Sequence, residues 1–233
     1  MKKITSCLLV FVMLLSALTL SGCGSKEVED AESAMQVYFT ALVGFNTDEM
    51  KGCIYTGEED DENDEEDDNI GFEIPEMSED FIQTDNYKKA VKSMYQALGS
   101  TFVFKVDSNE KIDKENVEFK VTVKCANVNE SDMGQYIQKK VDQYLENNPN
   151  WVKMDEIEYS DTMIGVQADA YRVFLQTTER MTEQFTIKVT KIDGDWKMKL
   201  DENKEFFDFL AEVFAGEETA ETLEPTEEET VEE

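Results

Sequence analysis

There is no histidine in the 233 residues of this chain. That absence removes imidazole as a general acid or base, and with it Ser-His-Asp and Cys-His nucleophiles. It also removes the commonest ligand of catalytic zinc. Positive charge is scarce: 22 Lys and Arg stand against 53 Asp and Glu, for a net charge of −31. A chain of that sign does not neutralise phosphates, so nucleic acid is excluded as a partner, and so is a second, electrostatic grip on anionic lipid. The sequence holds no Gly-rich phosphate loop, no internal repeat and no basic stripe interleaved with aromatics. No apolar run reaches the roughly 20 residues that a spanning helix needs.

The longest apolar run is short and comes first. Met1-Lys2-Lys3 is positive, and Cys7 to Leu20 is almost wholly apolar. Together they match the n-region and h-region of a secretory signal. Instead of an A-x-A site, Leu20-Ser21-Gly22-Cys23 follows. This tetrapeptide resembles the lipobox of bacterial lipoproteins. The resemblance implies a diacylglyceryl group on the Cys23 thiol and cleavage just before it. One acyl chain holds a protein marginally and two hold it stably. The expected organisation is a signal peptide over 1–22, a lipidated tether over 23–29, a domain over 30–216 and an acidic tail over 217–233. The domain is expected at the extracytoplasmic face of a cell membrane.

Much of the negative charge is local. Residues 58–68 hold ten acids and no base, and the tail 217–233 holds nine acids and no base. Runs of like charge read as solvated, disordered segments. The first run does not make an EF-hand, which needs Gly at its sixth position for a sharp turn. Starts at Asp61, Asp64 and Asp67 place Glu66, Asn69 and Phe72 there. Weak Ca2+ association with the run is the minor alternative.

Two cysteines remain in the domain, Cys53 and Cys125. An exported pair permits one bridge, which would close a loop of roughly seventy residues and stabilise by roughly 4 kcal/mol. Two separate buried thiols are the other reading. Cys125 alternates in phase with Val117, Phe119, Val121 and Val123, so it is expected to face a core.

Periodicity places the elements. Three- and four-residue steps predict helices over 30–45, 78–98, 132–146, 162–182 and 203–215, with a short one through Cys53. Asn46 and Glu49 are spaced as a capping box, Ser131 as an N-cap and Gly99 as a helix stop. Period two predicts strands over Phe102–Val106 and Val117–Cys125, joined by polar Asp107–Asn116. A hairpin over Phe185–Leu200 turns at Asp193-Gly194.

The element order and the hairpin ending in Trp196-Lys197-Met198 are similar to those of uncharacterised bacterial lipoproteins, of Gram-positive type, with an NTF2-like domain. The resemblance implies an α+β fold: an NTF2-like cone, with a curved antiparallel sheet packed on helices. A cavity at its open end would be lined by Phe39, Phe102, Phe104, Phe119 and Trp196, unless these simply fill the core. Some NTF2-like enzymes use Tyr and Asp without His, which makes Tyr38, Tyr95, Asp107 and Asp169 the candidates. They match no known constellation, and the expectation is no enzyme, no cofactor and no metal. The expected activity is non-catalytic binding of a small ligand or an envelope partner. A structural or interaction protein without a ligand cavity is the alternative.

Overall fold

The structure is a computed structural model that describes residues 25–57, 70–72, 82, 84–128 and 130–215. The expected signal segment 1–22, Cys23, the acidic run 58–68 and the tail 217–233 lie outside the described residues.

Helix α1 (Lys26–Gly44) buries Val28, Ala31, Met35, Tyr38, Phe39, Ala41 and Leu42, which its 3.6-residue period brings to one side. Glu27 and Glu29 in its first turn complement the helix dipole. Helix α2 (Thr47–Gly52) follows. The capping box expected there does not form, because the Asn46 side chain makes no cap hydrogen bond. The Asn46 amide instead donates to Ala41 O at 2.8 Å, tying the short helix to the end of α1.

Helix α3 (Asp85–Gly99) begins where the Thr84 hydroxyl accepts from Tyr87 N at 3.0 Å. Gly99 is its last residue but not a left-handed stop, since the following Ser100 has φ −63°. A Cβ on Gly99 would meet Leu42 O at 2.5 Å and Val43 O at 3.0 Å. The missing side chain therefore lets α3 approach the backbone of α1. Helix α4 (Glu130–Asn147) starts one residue before Ser131, which is helical rather than a cap. A 3-10 turn over Pro149–Lys153 leads to α5 (Glu156–Thr177), capped by Asp155, which accepts from Glu158 N at 2.8 Å. Helices α3 and α4 both pack on α5. Helix α6 (Lys204–Ala215) closes the described chain.

The strands are β1 (Ile54–Tyr55), β2 (Val103–Lys111), β3 (Asn116–Ala126), β4 (Arg180–Ile192) and β5 (Asp195–Lys199). They form one curved five-stranded sheet in the order β1-β5-β4-β3-β2. Only the β1–β5 pair is parallel. Alternation sends Val117, Phe119, Val121, Val123 and Cys125 inward, each 0% exposed. The β4–β5 turn has Asp193 at φ 52° and Gly194 at φ 102°, the two positive values that a tight hairpin turn of this hand requires.

Two strands are longer than their patterns suggest. β2 runs on through Lys111, with a register shift between Val106 and Ser108 that leaves Asp107 as a bulge. The connection to β3 is therefore 112–115, not the whole of 107–116. β4 begins at Arg180, so Met181 pairs with Cys125 across the sheet instead of ending a helix.

The inner face of the sheet packs against α1 and α6. Phe206 and Leu210 of α6 join Tyr38, Leu42, Val117, Phe119, Ile187 and Val189 in one hydrophobic cluster. The fold is α+β, a mainly antiparallel curved sheet on helices, as expected of a cone.

Candidate functional site

The aromatic residues expected to line a cavity pack on one another or on the core. Phe39 stacks on Phe104 with centroids 4.0 Å apart, and Phe102 lies against Phe104 and Phe214 at 5.8 Å each. Tyr38 meets Phe206 and Phe207 edge-on at 6.3 and 6.0 Å. Phe119 is 0% exposed. Such pairs add about 0.5–1.5 kcal/mol each beyond area burial. Trp196 is half-buried, with the Lys191 ammonium 5.9 Å from its ring centre.

The four acid–base candidates are dispersed. The Tyr38 hydroxyl donates to Ile70 O at 3.1 Å, and burial holds its phenol well above the ordinary range. Tyr95 stacks on Phe45 at 4.8 Å. Asp169 is exposed on α5 and pairs with Arg172 at 2.7 Å. Asp107 lies on the opposite side of the sheet from Tyr38. No Tyr–Asp pair is brought together among these four. Among the described residues, no group of three or more Cys, Asp and Glu is placed to hold a metal ion.

The cysteine bridge left open by the sequence is not present: Cys53 and Cys125 are free, buried thiols. Strand register gives the reason. Ile54 pairs with Met198, Met198 with Val189, and Val189 with Val117. Cys125 lies eight residues further along β3, about 26 Å at the strand rise. A disulfide tolerates Cα separations up to about 7 Å. Burial pushes the Cys125 thiol up to about 12, and it also raises that of Cys53.

The outer face of the sheet is different in kind. Lys105, Lys120, Thr122, Gln184, Thr186 and Lys188 alternate with the buried residues and face away from α1 and α6. At the bulge, Asp107 takes Lys105 Nζ at 2.5 Å and Gln184 Nε2 at 3.3 Å, together with the Thr122 hydroxyl. The Lys105 hydrogen bond, then that of Thr122, hold its carboxyl down at about 2. Across the sheet, Glu202 meets Lys188 at 3.0 Å and Lys199 at 3.3 Å. Partial burial raises the Glu202 carboxyl, but the two lysines outweigh it and leave it below its ordinary value.

Charge is segregated by layer. Strands β2 to β5 carry nine basic and five acidic residues. Helices α1 to α6 carry nine basic and eighteen acidic residues. In a chain of net charge −31, the strands thus carry a small excess of positive charge and the helices a negative one, although Glu110, Glu118 and Asp195 share the outer face with the lysines. Glu202 and Asn203, which organise one side of this face, carry no sequence signal of their own. They lie in a 3-10 turn, Asp201–Asn203, between β5 and α6.

Fold and geometry together define an α+β domain with a packed aromatic interior and an open, polar sheet face. No family model matches the chain, and no curated protein matches it significantly. Among solved structures it is similar to a Bacillus subtilis protein described as a "putative lipoprotein", with a TM-score of 0.48 and 17% identity. The match covers 79% of this chain and 56% of that one, so this chain spans little more than half the length of that protein. A likeness of that size carries no property from one chain to the other.

Proposed function

We propose that this chain is an exported bacterial lipoprotein, held at the extracytoplasmic face of a membrane by acyl chains on Cys23. Its domain works by non-catalytic binding of an envelope partner across the outer face of the sheet. The anchor rests on the short apolar run and on Leu20-Ser21-Gly22-Cys23. It is in keeping with a domain in which, among the described residues, no helix is long and apolar enough to cross a membrane.

The observation that carries the binding reading is the contrast between the two faces of one sheet. The aromatics that could have lined a pocket stack at 4.0–5.8 Å, while Lys105, Lys120, Gln184 and Thr186 on the opposite face are exposed. This favours a macromolecular partner over a small ligand.

The test has two arms. Labelled palmitate should enter the wild type and not Cys23→Ala, and the variant should leave the membrane fraction. A photo-crosslinking residue at Thr186, on the outer face, should capture an envelope protein in intact cells. The same residue at Asp169, on the helical side, should not. Equal capture from both positions would remove the binding face.

A further inference from the structure

The register sets four lysines on one diagonal of the outer face. Lys105 of β2 stands opposite Thr122, one same-face step from Lys120 on β3. Lys120 stands opposite Thr186, one step from Lys188 on β4. Lys188 precedes Val189, the partner of Met198, so Lys197 lies one diagonal step on, in β5. Each move crosses one strand and descends one same-face position. Such diagonal neighbours lie about 7–8 Å apart, so the stripe is roughly 22 Å long. Lys199 flanks its lower end.

Three carboxylates lie on the stripe: Asp107 at Lys105, Glu202 between Lys188 and Lys199, and Glu118, which stands opposite Lys188 and one same-face step from Lys120. Lys120 and Lys197 have no carboxylate partner among the described residues. Thr186, exposed beside the stripe, adds a hydroxyl between the ammonium groups, while the hydroxyls of Thr122 and buried Thr190 are held by Asp107 and by Asn116 and Glu202. With Lys199 the stripe sets five lysines against these three carboxylates and Asp195, one same-face step from Lys197, so a small local excess of positive charge remains.

We propose that this lysine diagonal is the docking track for an extended acidic polypeptide, with carboxylates at alternate positions. The inference rests on the binding reading above and names the chemistry of its partner. The spacing supports it. Same-face side chains of an extended chain repeat every 6.4–6.8 Å, about twice the rise of a strand, close to the 7–8 Å between successive lysines. A run of about seven residues spans the stripe and places four carboxylates over four ammonium groups. Charge supports it as well. The helices carry eighteen acids against nine bases, so an acidic partner is disfavoured on their side. Complementary charge on one side and like charge on the other fix orientation and exclude other docking modes.

The experiment uses the full lipidated chain in detergent micelles. The probe is a fluorescent peptide alternating Glu and Thr, with a block isomer (all Glu, then all Thr) and a polyphosphate of matched charge as competitors. Lys120→Gln with Lys197→Gln disturbs no ion pair described here. It should weaken the alternating peptide about tenfold, with an effect that shrinks as salt rises. Lys88→Gln with Lys92→Gln, which removes the same charge from α3, should change affinity less than about twofold. Circular dichroism on both double variants confirms folding. Equal losses in the two variants, equal binding of the block isomer, or no saturable binding of the alternating peptide would each overturn the proposal. Polyphosphate binding tighter than the peptide, and lost in the Lys120/Lys197 variant, would also overturn it by assigning the track to a phosphate polymer. Thr186 crosslinks to a partner with no acidic stretch would sink the acidic track while leaving the binding face standing.

Discussion

Asn203 stands where a strand residue would stand opposite Lys188. Its side-chain amide donates to Lys188 O at 3.0 Å, and its oxygen accepts from Lys188 N at 2.8 Å. β5 pairs with β4 only as far as Met198 and Val189, and the Asn203 amide takes over the next position. A third bond, to Lys199 O at 2.8 Å, ties the same side chain back to β5. One carboxamide thus finishes the ladder and starts the turn into α6.

Asn203→Ala should therefore cost more than a surface substitution. Asn203 is 3% exposed, and its loss takes this partner from the Lys188 amide and from the Lys188 and Lys199 carbonyls, all part-buried. The expected destabilisation is about 2–3 kcal/mol, at 1–3 kcal/mol for each unsatisfied group less what water recovers. Urea unfolding measures it, and a loss under about 0.5 kcal/mol would show that the ladder end is redundant.

Gly99→Ala places a methyl 2.5 Å from Leu42 O, which is backbone and cannot swing aside. Overpacking of this kind costs about 1–3 kcal/mol. Ala recovers up to ~1 kcal/mol of helix propensity. The net should be a loss of about 1–2 kcal/mol, and a stabilised variant would mean that α1 and α3 are not held at this distance.

The cysteines give a chemical and a pH prediction. A maleimide should label neither Cys53 nor Cys125 in the folded domain at pH 8, and both after denaturation without reductant. The neutral Cys125 thiol is favoured in the folded state, with its value raised from 9.0 to about 12. Between those values the folded state holds a proton that the unfolded state has lost, so stability falls as pH rises from 9 towards 12. Cys125→Ala should flatten that alkaline decline, as followed by urea midpoints at each pH. Material that labels only after reduction would restore the bridge.

Asp107 predicts the opposite limb. Its carboxyl is held at about 2, below the ordinary 3.8, first by Lys105 and then by Thr122. The folded state therefore favours the ionised form. The associated stability is present above pH 4 and is lost as pH falls through the folded value near 2. Carboxyl carbon NMR should place the Asp107 midpoint well below the ordinary 3.8. Lys105→Gln should move it upward, and an unmoved midpoint would exclude Lys105 as the main cause.

Legibility followed chemistry. The inward set Val117 to Cys125 was readable because polar residues alternate with it, and all five are buried as the pattern predicts. The Asp193-Gly194 turn was readable because few residues tolerate those dihedrals. The second half of β2 was not: Asp107, Ser108, Asn109 and Glu110 offer no apolar phase, and the bulge shifts what phase there is. Met181 read as helical because it falls seven residues after Phe174, a spacing that β4 does not use.

The outer face was legible as wet but not as organised. The lysines at 105, 120, 188 and 197 have no meaningful spacing along the chain. Their diagonal exists only once the register is known. Asn203 was equally silent, since nothing local distinguishes an Asn that completes a strand from one in a turn. The four Tyr and Asp candidates failed for a related reason, because residue type alone says nothing about which side of a sheet a group will occupy.

The sheet ends at β1, which has two residues, and at β2, which has a bulge and a charged middle. On the anchored reading, copies of the protein share a plane, and confinement to a plane raises their effective concentration. Open strand edges in that setting would invite chain-to-chain addition. One border here is too brief to template a new strand, and the other is kinked and carries Lys105 and Asp107. Crowding within the plane can then bring copies together without zipping them into a fibre.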